Sequence, residues 1–427
     1  MADMQGAATL TEEKATLFAK EMKRRIDEIQ RARKAKQKMQ AVVLAEMLFN
    51  DAPDSLKAVS TYSWCLYEKK EFHRAQEVAT KGLEKFGDRR LLSVLCETYA
   101  KLNRDEEAVR VTEKCFSDPA LAAQALLLHG SALLRVTGEL DRSIEYFHRA
   151  VEGDAGGALG PDCHPARQVV SNNAFQALMY IADDPDRNPI HFVGSHTATP
   201  LAVLAASADE TYFRAFFQLY QDTFFAHSSN EAHIVHFHIF DPTEELLNEM
   251  GNIEDCARGR IRFSYEMTRG VNRSYYYAGR FVQMPRLLRR YGCPIVLTDM
   301  DCYFAGDIND VLASLAGSDL GIVQVNRRLP PWRNFLANLV VFNPTEVARR
   351  YALGMRNFLL NMPSDTNYWY VDQLALVQCA YLNRNGGIGT VRSANESRGN
   401  FCRQGTGSTG RPDVKVEKMR KRLVEDS

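Results

Sequence analysis

Several things are scarce in this sequence, and each scarcity removes a class of protein. Net charge is absent: 53 Lys and Arg stand against 53 Asp and Glu. Nothing overall therefore steers the chain toward nucleic acid or an anionic membrane, and neither is expected as a partner. No apolar run reaches the length of a membrane span, so no span is expected. No Cys-x-x-Cys pair occurs among nine scattered cysteines; an odd set of this kind reads as free or buried thiols in a reducing compartment. Residues 1–12 show no basic stretch followed by an apolar core, so no signal peptide is expected and the cytoplasm is the expected location. What is present is ordinary globular material. At 427 residues and 45% hydrophobic content, two domains are a better expectation than one.

The first part of the chain has helical periodicity. Residues 9–48 read as one long amphipathic helix, the core of an N-terminal segment 1–50. Thr9 and Glu12 have capping-box spacing, and Phe18, Met22, Ile26 and Ile29 share a face. The basic run 31–38 within it reads as a solvated helix face. From 51 to 160 the sequence repeats. Small residues recur at Ser63, Cys96 and Ser131, at Ala75, Ala108 and Ser143, and at Gly82, Cys115 and Ala150. Each series steps by 33 and then 35 positions, with Leu66, Tyr99 and Leu134 as the large residues between. Small positions let two helices of a hairpin approach closely, and large ones fill the next groove. This stretch resembles tetratricopeptide repeats, which implies an all-α repeat domain that binds partners or braces its neighbour.

Beyond the glycines at 156, 157 and 160, a helix is expected over about 165–182, and Asp183 to Pro189 reads as a domain boundary. The pattern then changes. Apolar strand candidates at 201–206, 232–240, 294–298, 320–325 and 339–342 alternate with helical stretches at about 211–226, 277–291 and 371–383. Such alternation predicts an α/β domain with a largely parallel sheet and helices on both faces. From about 394 the chain is rich in Ser, Gly, Arg and Asn and reads as a flexible tail, 394–427, with a short basic helix over 414–423.

One stretch carries chemistry. The apolar run 294–298 ends in Asp299-Met300-Asp301, and the end of a buried strand is where open α/β sheets place their ligands. Carboxylates two positions apart on a strand point the same way, so both can face one hard divalent cation or the phosphates it binds. Around this pair the order of residues is distinctive. Asp209 and Tyr212 follow the first strand, and Tyr277-Ala278-Gly279-Arg280-Phe281 opens a helix. Leu339-Val340-Val341-Phe342-Asn343-Pro344-Thr345 and Tyr368-Trp369-Tyr370-Val371-Asp372-Gln373 come after the aspartates. In this order the chain resembles the GT-A-fold, nucleotide-sugar-dependent glycosyltransferases over 198–392.

The resemblance implies a Rossmann-like mixed sheet, here a domain 186–393 that follows the repeats. It also implies transfer of a sugar from a nucleoside-diphosphate donor to an acceptor the sequence does not identify; a protein held by the repeats is one candidate. Asp299 and Asp301 would hold Mn²⁺ or Mg²⁺, with Asp299 also within reach of the ribose. Asp209 and Tyr212 would hold the nucleobase or ribose, and Arg280 the phosphates or sugar hydroxyls. Asn338, in Leu336-Ala337-Asn338, would contact the sugar from a slightly displaced place. Asp372 would be the catalytic carboxylate, with Gln373 beside it on the donor sugar. The chain departs from the family in having no histidine after His238, where many metal-dependent members supply a late metal ligand.

Each residue has a plainer use. Asp299 and Asp301 could cap a strand end, Arg280 could be one more surface arginine beside Arg286, Arg289 and Arg290, and Asp372 could cap a helix. His236 and His238 share a strand face as a metal pair would, with Asp241 as the nearest further ligand. A filled β-face is the better expectation for them. Tyr275, Tyr276 and Tyr277 read as core or interface residues rather than a sugar platform. Haloacid-dehalogenase-type phosphatases also carry two such aspartates after a strand, but there the pair begins the domain. A different class of reading is a non-catalytic repeat scaffold carrying a degenerate transferase-like domain.

Overall fold

A computed structural model describes residues 2–154, 156–157, 159–195, 198–268, 275–325, 329–363, 370–404 and 411–426. Side chains within this set are described except at 2–15, 396–398 and 425–426. The chain divides into two compact units, 1–137 with 145–159, and 138–144 with 160–427.

The first unit is helical. The expected single helix over 9–48 is two helices, α1 (Ala2–Lys34) and α2 (Lys38–Asp51). Lys36 between them takes φ 60°, a left-handed conformation that a right-handed helix cannot continue through. The Thr9/Glu12 capping box falls inside α1, on side chains outside the described ones. Met22 and Ile29 are buried, Ile26 packs beside them, and Phe18 is exposed. Within the basic run, Arg31, Arg33 and Lys34 occupy the last turn of α1, where cations meet the carbonyl end of the helix dipole.

Then follow α3 (Leu56–Glu68), α4 (Phe72–Phe86), α5 (Arg89–Lys101), α6 (Asp105–Glu113), α7 (Ala122–Thr137) and α8 (Leu140–Glu152). From α1 to α7, each helix packs on the next. The repeating positions explain why. Ser63, Ala75, Cys96, Ala108, Cys115, Ser131, Ser143 and Ala150 are all buried, as are Leu66, Tyr99 and Leu134. A Cβ on Gly82 would come within 2.7 Å of Val59, so only glycine lets α4 close on α3 here.

The second unit opens with α9 (Cys163–Gln168) and α10 (Asn172–Leu178), two short helices where one was expected. The stretch read as a boundary is fastened into this unit. Asp183 accepts from Arg286 and Arg289 at 3.1 Å and lies 3.0 Å from Arg356. Burial pushes its carboxyl upward, but the three guanidiniums more than offset this and hold it below the ordinary range.

The sheet has eight strands: β1 (His191–Phe192), β2 (Ala202–Asp209), β3 (His233–Phe240), β4 (Ile261–Glu266), β5 (Ile295–Thr298), β7 (Leu320–Gln324), β8 (Phe335–Phe342) and β9 (Val391–Ser393). A separate short strand, β6 (Cys302–Phe304), follows β5. Strand order is β1-β4-β3-β2-β5-β8-β7-β9. The four strands β4, β3, β2 and β5 are mutually parallel, while β8 runs antiparallel to both β5 and β7. The sheet is therefore mixed, as the resemblance implies, rather than largely parallel as the alternation of elements alone predicts. Strand β4 was not expected, because Arg262, Ser264 and Glu266 give it a half-polar look; all three are buried.

Helices cover the sheet: α11 (Glu210–His227), α12 (Glu244–Cys256), α13 (Tyr275–Tyr291), α14 (Ile308–Ser314), α15 (Glu346–Leu360) and α16 (Val371–Gly386). An aromatic core of Phe213, Phe216, Tyr220, Phe224, Phe237, Phe263 and Phe304 joins α11 to the strands. The Tyr220 hydroxyl lies 2.6 Å from Thr298 Oγ1, which satisfies both polar groups inside that core.

In place of the expected flexible tail, the C-terminal segment is built into the unit, residues 405–410 lying outside the described set. It forms α17 (Asn395–Phe401), β10 (Cys402–Gln404) and α18 (Pro412–Asp426). Strand β10 pairs antiparallel with β6, Gln404 opposite Cys302. Helix α18 buries Lys415, Val416 and Met419. A Cβ on Gly306 would meet the Asn400 carbonyl at 2.6 Å, so the turn after β6 needs glycine for α17 to come this close.

Candidate active site

The carboxyl ends of parallel strands β2 and β5 open toward one region, and the candidate residues gather there. Asp299 and Asp301 stand on the turn between β5 and β6 rather than on the strand itself, with buried Met300 between them. Arg280 comes from α13, Asn338 from β8, and Asp372 from the first turn of α16.

Arg280 links two of the carboxylates. Its Nη1 lies 2.9 Å from Asp299 Oδ1, and its Nη2 lies 3.3 Å from Asp372 Oδ2 and 3.2 Å from the Ala337 carbonyl. Only 11% of its side chain is exposed, so it is no ordinary surface arginine; Arg286 and Arg289 serve the clamp on Asp183 instead. Glycine before Arg280 makes this placement possible. A Cβ on Gly279 would meet the Phe240 ring at 2.5 Å, so the start of α13 could not lie as close to the end of β3 with any larger residue.

Asp372 does not cap α16. The cap position is Tyr370, at φ 65°, and the Asp372 carboxylate accepts from the Gln373 N–H at 2.8 Å. Burial pushes the Asp372 carboxyl up to about 6, with the Asp299 charge adding to the rise and Arg280 opposing it.

Gln404 and Lys415 complete the cluster, and sequence reasoning missed both. Gln404 Nε2 donates to Asp299 Oδ2 at 2.8 Å and to Asp301 Oδ1 at 3.3 Å. Its Oε1 accepts from Asn338 Nδ2 at 3.2 Å. Lys415 Nζ donates to Asp301 Oδ2 at 2.8 Å and to the Tyr212 hydroxyl at 3.2 Å. Burial works against the Lys415 ammonium, but the hydrogen bond and charge of Asp301 outweigh it and its pKa is raised.

Two expected contacts are engaged elsewhere. Asp209 caps α11, accepting from the Tyr212 N–H at 2.8 Å. The Gln373 amide faces the Trp332 and Phe335 carbonyls, and with its nitrogen turned toward them it donates to both, at 2.7 Å and 3.0 Å. Tyr368 and Trp369 lie outside the described residues. His236 sits between the Tyr291 hydroxyl and Ser264 Oγ, each at 2.8 Å, and His238 Nδ1 also reaches Ser264. Burial depresses the His236 pKa well below its ordinary value, as expected for a neutral residue of a filled β-face. Asp241 is engaged elsewhere, accepting from the Thr268 N–H and from the Tyr276 hydroxyl.

A divalent ion would need oxygens that are already committed. All four carboxylate oxygens of Asp299 and Asp301 receive Arg280, Gln404 or Lys415. Among the described residues no group of three or more His, Cys, Asp or Glu is placed to hold a metal ion. A hard cation takes six or more oxygens with few protein cations near it. The residues as arranged do not fit that ion. Within this cluster two polar atoms are buried without a hydrogen-bond partner among the described residues, Arg280 Nε and Asn338 Oδ1. Each such atom costs about 1–3 kcal/mol unless a ligand or water meets it.

Among the described residues no helix is long and apolar enough to cross a membrane. No family model and no curated protein matches the sequence. Among solved structures, the chain is similar to apo WbbM, a bifunctional glycosyltransferase, at 16% identity and TM-score 0.33. That match covers 46% of this chain and 38% of WbbM, so the chain spans well under half of that protein. It is also similar to the galactosyltransferase LgtC with donor and acceptor sugar analogs, at 15% identity and TM-score 0.32, over 45% of this chain and 72% of that one. A third is apo mouse xyloside xylosyltransferase 1, at 11% identity and TM-score 0.28, over 42% and 81% of the two chains. All three TM-scores lie below 0.5, so the reading of the site rests on its own geometry.

Proposed function

We propose that the second unit is a glycosyltransferase domain that moves a sugar from a nucleoside-diphosphate donor to an acceptor hydroxyl. The observation that carries this reading is the Arg280 bridge between Asp299 and Asp372 at the strand ends, with Arg280 Nε and Asn338 Oδ1 left unpartnered inside it. The bond that breaks joins the anomeric carbon to the donor phosphate, and its electrons leave with the diphosphate. A guanidinium at that point supplies the positive charge the leaving group needs and matches phosphate oxygens in geometry. The Asn338 carbonyl oxygen can accept from a sugar hydroxyl. Asp372, once ionised, is the carboxylate that stabilises the cationic sugar carbon or takes the acceptor proton. The Mn²⁺ or Mg²⁺ that the resemblance implies belongs to this reading only as far as the aspartate oxygens can be freed for it, and no step above is routed through it.

The helical unit supplies the other half of the proposal. Its stacked pairs, read as tetratricopeptide-like repeats, would recruit an acceptor protein. A second reading, the non-catalytic scaffold, is favoured by the paired state of all four aspartate oxygens. The two separate in one experiment. The full chain is incubated with UDP- and GDP-sugars, with and without Mn²⁺, and release of the nucleoside diphosphate is followed for the wild type and Arg280→Ala. Release by the wild type that is lost in the variant supports the transferase. Failure of the wild type to bind or turn over any donor leaves the scaffold.

A further inference from the structure

The carboxylate pair carries its own counter-charge, and that charge comes from a helix the sequence marks as tail. Lys415 lies 114 positions from Asp301 and 203 from Tyr212 in sequence, yet its ammonium reaches both. Its side chain is only 7% exposed and that of Asp301 only 10%. Lysine is seldom buried this deeply unless its charge is met, and here it is met by a single carboxylate and a phenol. Three features hold the ammonium in place. The face of α18 that carries Lys415 also buries Val416 and Met419, the Tyr212 ring lies under the ammonium at 5.4 Å, and Asp301 takes one of its protons. With Arg280 on Asp299, the two aspartates are matched by two protein cations.

We propose that Lys415 is a donor-binding residue: its ammonium receives the diphosphate of the nucleotide, taking the place of a divalent metal ion at Asp301. This rests on the transferase reading above. An ammonium has three N–H donors. Two are directed at Asp301 and Tyr212, and the third serves a phosphate oxygen. Lysine meets phosphate as a point charge, so it needs no particular orientation of the diphosphate, whereas Arg280 on the other aspartate supplies the planar fork. Asp301 in turn fixes where the charge stands and keeps the lysine protonated. The site thus combines a fixed cation with a fixed guanidinium, and a chelator leaves both untouched.

The test is calorimetric titration of the full chain with UDP and with GDP, first in EDTA and then in Mn²⁺. It compares wild type, Lys415→Met and Lys415→Arg, with thermal melts confirming that each variant folds. The wild type is expected to bind one of the nucleotides in EDTA, with less than a twofold change on adding Mn²⁺. Lys415→Met should weaken binding in EDTA by about tenfold or more, the loss of one charged hydrogen bond. Added Mn²⁺ should restore part of that loss, because Asp301 is then open to a metal, and Lys415→Arg should retain most of the affinity. Wild-type binding that requires Mn²⁺, or undiminished binding by Lys415→Met, overturns the role of Lys415 and leaves the transferase reading standing. Absence of wild-type binding to either nucleotide in both buffers overturns the two together. If Lys415→Met does not fold, Lys415→Gln takes its place in the same comparison.

Discussion

Gln404 donates to Asp299 at 2.8 Å across 105 positions of sequence, and the same nitrogen reaches Asp301 at 3.3 Å. It therefore occupies the space between the two aspartates that a shared metal would have to enter, and residue 404 borders that space. An amide nitrogen is no metal ligand, but an imidazole at that point is a good one. Gln404→His combined with Lys415→Ala should bind Mn²⁺ about tenfold more tightly than Lys415→Ala alone, a difference of ~1.4 kcal/mol. Electron paramagnetic resonance of free Mn²⁺ reads this directly. Equal affinity in the two proteins would show that Gln404 does not occupy a ligand position.

Arg280 serves the buried Asp372 carboxylate, the half-buried Asp299 carboxylate and a carbonyl at once. Removing it strands Asp372, whose side chain is 11% exposed, without a cation. Arg280→Ala should lower stability by about 3 kcal/mol, the usual result of breaking a buried pair from one side. Urea denaturation measures it. Arg280→Lys keeps the charge but cannot reach both aspartates and the carbonyl together, so it should fall between. A stability equal to wild type in Arg280→Ala would mean that water reaches Asp372 freely.

Asp372 gives the site a pH dependence. Its carboxyl is pushed from an ordinary 3.8 up to about 6, first by burial and then by the Asp299 charge, against the pull of Arg280. A raised carboxyl pKa means that the folded state binds the proton more tightly than the unfolded chain. Its favourable contribution to stability is thus complete below 3.8 and disappears as pH rises through about 6. Function runs the other way. The Arg280–Asp372 ion pair needs the carboxylate, so donor turnover should rise with pH through a limb near 6. In Asp372→Asn that limb should be missing from whatever activity remains. A pH profile of both proteins checks it, and an unchanged limb in the variant would assign the titration to another group.

Sequence periodicity exposed the parts of this protein whose residues face one way. The small positions of the helical unit, Ser63, Cys96 and Ser131 among them, are buried, and the apolar runs at β2, β3 and β5 are strands. Strand β4 escaped because Ser264 and Glu266 find buried partners in His236, His238 and Gln283, and such pairing leaves no mark on hydropathy. Of the residues expected at the site, Arg280, Asn338, Asp299, Asp301 and Asp372 are brought together. Asp209 instead caps α11, because capping a helix and contacting a ligand require the same kinds of side chain. Gln404 lay hidden in a stretch whose composition suggested disorder, and Lys415 on the basic helix expected over 414–423, which the structure forms as part of α18. One signal pointed the other way: Val416, Met419 and Leu423 recur at helical spacing, and all three pack into the core.

Helix α13 delivers Arg280 one residue beyond Gly279. Gly279 faces the Phe240 ring so closely that an added Cβ would lie 2.5 Å from Cζ and 2.8 Å from Cε1. Phe240 cannot yield easily, because its ring is stacked on Tyr276 at 5.1 Å and meets His238 edge-on at 5.0 Å. Gly279→Ala should therefore push the start of α13 away from β3 at a cost of about 1–3 kcal/mol, the range for overpacking a filled core. The neighbouring guanidinium would move with it, so nucleotide binding should weaken even though no site residue has changed. Phe240→Leu in the same chain makes room for the methyl group and should recover part of both losses. Melting temperature and calorimetric affinity, measured on the single and double variants, separate the outcomes. If the double variant regains stability but not affinity, the position of α13 is not what sets Arg280.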